Sequence, residues 1–218
     1  MILNKKEIRV AMDSDELSFE PALDEFQVQP NSVDLRTGWT FYIPEHWKYT
    51  EEGRVGVRPD YLDYRANQEN FRMIKLKPGQ YFEFLPNEFV VVSSLEKINM
   101  KTKKIMSVLH PRSSMIRRGF VIESGVIDVG YKGTLTIPVF NGTPHPLRLY
   151  PGERICQLVF HQMLSELSDD EAQLHGKVKA KYQDSTAYNL EARTDHDDEL
   201  GFIKQGKIAE LKDKFKAS

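Results

Sequence analysis

FRMIKLKPGQYFEFLPNEFVVVSSLEKINMKTKKIMSVL, residues 71–109, decides the architecture. Its apolar runs FRMIKL, YFEFL, FVVVSSL and KIMSVL are short, rich in β-branched and aromatic side chains, and separated by KPGQ and PNE. Punctuation by Pro-Gly and Pro-Asn at near-regular intervals points to a barrel or sandwich of strands, not to alternating β-α units. Before residue 160 no apolar pattern sustains a helix longer than ~12 residues. The fold class is therefore mainly β, with short helices at the termini.

Upstream, Val33 and Leu35 alternate with Asp34 and Arg36 like a half-buried strand, and residues 17–30 carry two prolines and read as extended chain and turns. Ile2, Ile8 and Met12 are spaced for a short opening helix. Residues 45–70 are polar and aromatic without period, and read as a surface insertion. Downstream, GTLTIPVF and ERICQLVFHQM supply two more strands, with Asn141-Gly142 as a tight-turn pair. The domain spans 1–163. Residues 164–218 form a charged arm, in which FIKQGKIAELKDKFKAS predicts one short amphipathic helix through Ile203, Ile208, Leu211 and Phe215, with a neighbouring subunit as its dock.

With 218 residues, 40% of them hydrophobic, the chain can bury a full core. A net charge of −2 argues against a nucleic-acid backbone as partner. Cys156 is the sole cysteine, so no intrachain disulfide forms and a reducing cytoplasm is the expected setting. No apolar run approaches the ~18 residues of a membrane span.

The positive charge is local. In HPRSSMIRRGFVIESGVIDVGYKG, residues 110–133, Arg112, Ser113, Ser114, Arg117 and Arg118 crowd guanidinium and hydroxyl groups into seven residues. Guanidinium forks grip phosphate oxygens in pairs, with each charge-assisted bond contributing about 1.5–3 kcal/mol. A solvated basic turn is the plainer alternative. Asp128 and Tyr131 share a glycine-bearing turn between two strand-like runs, where a carboxylate can hold water and a ring can face a sugar; an ordinary capped turn would look the same.

Six ordered blocks together resemble the dUTPase and dCTP deaminase superfamily, and are closest in layout to its deaminase branch. They are MILNKKEI at the start, QPNSVDLR at 29–36, residues 76–100, PRSSMIRRGF at 111–120, GVIDVGYKG at 125–133 and PLRLYPGERICQLVF at 146–160. The resemblance implies a distorted jelly-roll β-barrel, a homotrimer with shared sites, and Mg²⁺ held mainly by substrate phosphates. It assigns phosphate to Arg112, Ser113, Ser114 and Arg117, the attacking water to Asp128, and nucleotide contacts to Ile127, Tyr131 and Gln157. Lys181-Tyr182-Gln183 resembles the tail motif that closes over the nucleotide. Asp34 matches a residue that organises the site from behind.

One position departs. Family deaminases carry a proton-shuttling glutamate after the glycine turn, and an ungapped alignment through residues 125–141 places Pro138 there. Proline transfers no protons, and general acid–base catalysis is worth about 10²–10⁴-fold. The expected activity is therefore a Mg²⁺-dependent diphosphatase acting on a pyrimidine deoxynucleoside triphosphate, with dUTP favoured. The alternatives are a dCTP deaminase whose acid is displaced, with Glu123 as candidate, and a nucleotide-binding homologue without catalysis.

Overall fold

The structure is a computed structural model that describes residues 1–57, 70–168, 174–175, 178–179, 184–188, 190 and 196–216. Helix α1 (Lys5–Asp13) starts at a capping box, with Asn4 accepting from the Lys6 and Glu7 amides while Glu7 accepts from the Asn4 amide. Strands β1 (Leu17–Glu20), β2 (Val33–Pro44), β3 (Trp47–Thr50), β4 (Gly53–Gly56), β5 (Phe71–Lys75), β6 (Phe82–Phe84), β7 (Phe89–Met100) and β8 (Ile105–Pro111) follow. Then come helix α2 (Ser113–Arg118) and strands β9 (Phe120–Ile122), β10 (Gly125–Ile127), β11 (Lys132–Asn141), β12 (Leu147–Leu149) and β13 (Arg154–Gln162). The C-terminal region adds the small hairpin β14 (Leu174–His175) and β15 (Val178–Lys179), and helices α3 (Asp197–Lys204) and α4 (Ile208–Lys214).

The main sheet is antiparallel, in the order β10-β8-β13-β2-β7-β11-β9, with β1 added on β7 and β5 on β2. Its two terminal strands are consecutive in the chain, since only Glu123 and Ser124 separate β9 from β10. A sheet whose opposite edges are joined by two residues has to curl until those edges meet, which yields the expected distorted barrel. The strand-like run FVIESGVI is thus two strands, one on each edge.

Inside, Phe41 stacks on Phe82, and Phe82, Phe84 and Phe120 continue edge to face. Gly38 is required where β2 crosses β7, because a Cβ there would meet Ser93 Oγ at 2.4 Å and Ser94 O at 2.6 Å.

Two local expectations are corrected. Asn141-Gly142 does not turn the chain between two paired strands, because β12 pairs with β6, and the Asn141 side-chain Nδ2 instead donates to the carbonyls of Phe84, Leu85 and His145. The C-terminal amphipathic run is two helices, broken at Gly206, whose φ of 71° ends α3 in the left-handed manner. Within the expected surface insertion, β3 and β4 pair as a hairpin on which Arg54 stacks over Trp47.

Candidate active site

Strand β8 hands the chain to α2 at Arg112, which occupies the helix N-cap. Met115 is buried and anchors the helix, leaving Ser113, Ser114 and Arg117 exposed on its outer side. Arg112 is fixed from beneath. Its amide donates to Ile155 O, its Nη1 to Arg154 O at 3.1 Å, and its Nε lies 2.9 Å from Asp34 Oδ2. Arg154 Nη1 reaches the same carboxylate oxygen at 3.1 Å. Asp34 is 1% exposed, and burial pushes its carboxyl up against the opposing pull of Arg112, Arg154 and Arg36. It organises the arginines from behind, as its sequence block suggests. Arg118 is spent on structure, since it pairs with Glu153, donates to Arg148 O and stacks over Phe120.

Below Asp34 lies a polar layer that the motifs do not announce. Glu96 is 1% exposed, accepting from Gln27 Nε2 at 2.7 Å and from the Arg36 amide at 3.0 Å, while Gln27 Nε2 also donates to Asp34 O at 2.9 Å. Its signal is the phase of β7: Val90, Val92, Ile98 and Met100 face the core, and Glu96 falls on the same alternation. A carboxylate in that phase needs buried donors.

Glu96→Gln leaves one of those two donors facing an amide N–H₂, and is expected to cost about 1–3 kcal/mol. Burial raises the Glu96 carboxyl above its ordinary value of 4.5, against the hydrogen bonds from Arg36 and Gln27. The native state therefore holds this proton more tightly than the unfolded chain. The contribution is full below about pH 4.5 and declines as pH rises through the higher native value. The cost of Glu96→Gln should thus be largest at the acid end and shrink upward, as urea unfolding at several pH values would read.

Asp128 begins the turn between β10 and β11, where the Tyr131 amide donates to Asp128 O and the Met100 amide to Tyr131 O. Tyr131 is only 8% exposed, packs with the core, and shares its hydroxyl with Ser185 Oγ at 2.8 Å. A ring lying open to a ribose is not what the structure shows. Ile127 is likewise a core residue, so only its backbone is available to a base. Gln157 is half-buried, pairs with Asp34 and His110, and its Oε1 accepts from Ser32 Oγ at 3.3 Å. Lys181, Tyr182 and Gln183 lie outside the described residues.

The structure does not gather these groups in one chain. Ile127 lies across from Ser107, five residues or about 17 Å along β8 from Arg112 at 3.3–3.4 Å per residue, and Asp128 lies one residue further from the arginine cluster. Pro138 sits elsewhere again, on β11 between β7 and β9, facing away from the side on which Ile137 and Val139 are buried. The β9 register runs Asn141↔Phe120, Phe140↔Val121, Val139↔Ile122 and ends there, with Pro138 and Glu123 as the first residues beyond the last pair. Glu123 is exposed and follows directly on the last paired residue of β9.

A family model described as dCTP deaminase-like matches residues 2–163. The chain belongs to the dCTP deaminase-like family. Within it, the chain is 36% identical over 165 residues to a protein of Persephonella marina named dCTP deaminase, dUMP-forming, covering 75% of this chain and 84% of the relative. A Corynebacterium glutamicum (strain R) protein of the same name is 32% identical over 186 residues, with 84% and 91% covered. The crystal structure of the 2′-deoxycytidine 5′-triphosphate deaminase from Agrobacterium tumefaciens shares the fold, with a TM-score of 0.56 and 23% identity. The match covers 78% of this chain and half the length of that one. The two curated relatives are named as dCTP deaminases, so the deaminase alternative fits them better than a plain dUTPase does. No helix among the described residues is long and apolar enough to cross a membrane.

Proposed function

We propose that this protein converts dCTP to dUMP, ammonia and pyrophosphate, with Glu123 taking the proton-transfer role that residue 138 cannot fill. The observation that carries this reading is the β9–β11 pairing, whose last pair, Val139↔Ile122, leaves Pro138 and Glu123 as the next residue of each segment. Glu123 would take a proton from the water adding to the pyrimidine C4 and return it to the departing amine. The names of the relatives support both substrate and product.

The phosphate half rests on Arg112, Ser113, Ser114 and Arg117 as grips and on Asp128 as the residue that positions water for attack on phosphorus. Their separation within one chain supports a homotrimer in which Asp128 of one copy faces the arginine cluster of another. Arginines and hydroxyls with a single carboxylate suit a Mg²⁺ ion that binds chiefly through phosphate oxygens, and no group of three metal-ligating side chains occurs among the described residues. When bound, that ion would neutralise the triphosphate charge.

Pro138 favours a second reading, a diphosphatase that acts on dUTP without deamination. The two separate in one assay that follows ammonia and pyrophosphate from dCTP, dUTP and dTTP with Mg²⁺. The first reading expects both products from dCTP, and expects Glu123→Gln to lower ammonia release by about 10²–10⁴-fold while pyrophosphate from dUTP persists. Pyrophosphate without ammonia from any nucleotide would establish the second.

A further inference from the structure

The arm segment 184–188 lies against the barrel at points that the proposed chemistry does not explain. The Asp184 amide donates to Lys132 O at 2.7 Å and the Thr134 amide to Ser185 O at 2.9 Å, pairing Ser185 with Gly133 in a parallel bridge on β11. Ser185 Oγ donates to Thr134 O at 2.7 Å and also meets the Tyr131 hydroxyl at 2.8 Å. The segment then crosses the sheet. Ala187 O accepts from Tyr42 Oη on β2 at 3.0 Å, and Lys75 on β5 donates to Tyr188 Oη at 3.3 Å, its Nζ lying 4.8 Å from the Tyr188 ring centroid.

Gly133 is shaped for this contact. A Cβ there would come within 2.5 Å of Ser185 Oγ and 2.9 Å of both Ser185 N and Tyr131 Oη. Tyr42 is 4% exposed and begins a lateral row across the sheet, Tyr42↔Val91 and Val91↔Pro138. The arm therefore touches both the turn that carries Asp128 and the row that ends at Pro138.

We infer that Ser185 is a positioning residue, tying the arm to the turn between β10 and β11 through the Tyr131 hydroxyl so that Asp128 is held in place before nucleotide arrives. The inference deepens the proposed function and rests on it for Asp128, while the tie itself rests only on the contacts above. A net hydrogen bond changes an equilibrium by about 2- to 12-fold.

The test uses the full chain carrying Ser185→Ala, Ser185→Thr and Gly133→Ala. Amide exchange at Thr134 and Asp184 should quicken about 2- to 12-fold in Ser185→Ala, quicken further in Gly133→Ala, and return to the parent rate in Ser185→Thr. The kcat for pyrophosphate release from dCTP should fall by the same factor in Ser185→Ala with KM within twofold. Unchanged exchange in both Ser185→Ala and Gly133→Ala would overturn the tie. Faster exchange with unchanged kcat would overturn the positioning role. Should the parent protein turn over none of the nucleotides, the proposed function and the positioning role both fail, while amide exchange still decides the tie.

Discussion

Asp128→Asn is expected to lower monophosphate formation by about 10²–10⁴-fold while leaving nucleotide affinity within a few-fold of the parent. The amide keeps the size and one acceptor of the carboxylate but loses the charge that polarises an attacking water. Grip on the triphosphate comes from other residues, Arg112 and Arg117 with the two serines, so binding should survive. Side by side, pyrophosphate release and calorimetric titration with dUTP or dCTP would check both halves. Turnover within threefold of the parent would remove Asp128 from the chemistry. Ammonia release, assigned to Glu123, should be affected far less, which separates the two steps within one protein.

Asp34→Ala should be the most damaging single change to stability, at about 3–5 kcal/mol, because it strips two guanidiniums of one shared carboxylate. Both arginines are 26% exposed, so neither recovers full hydration in place. Arg112 would also lose the contact that orients its Nε, and phosphate affinity should fall with stability. Asp34→Asn keeps an acceptor and should cost less. Urea unfolding of the three proteins would order them, and a loss below about 1 kcal/mol for the alanine variant would show that the arginines find other partners.

Strands β5 to β8 and the turns between them are legible in the sequence because period-two burial and Pro-containing turns are local signals. Pairing is not local. Nothing in FVIESGVI says that its halves go to opposite edges of the sheet, and that division is what closes the barrel and leaves Glu123 just past the last β9–β11 pair. The arginine cluster was readable as a phosphate grip, yet its members divide by what lies beneath them. Arg112 rests on Asp34, Arg118 is consumed by Glu153, and Arg117 stays exposed. Tyr131 carries its motif faithfully but turns inward, because its hydroxyl finds Ser185, a partner 54 residues away in sequence. Such contacts belong to the folded topology and leave no spacing to read.

Cys156 lies in β13, wholly buried, paired with Pro111 on one side and Leu35 on the other. Burial, with Glu96 and Asp34 nearby, pushes its thiol up, so the reactive thiolate is nearly absent in the closed sheet. An added disulfide reagent can then react only during the intervals when β13 parts from its neighbours. The strand that opens is the one on which Arg112 and Arg154 are moored, and the chain has no second thiol to confuse the reading. The lone sulfur is thus a built-in clock for how often the floor beneath the arginines gives way.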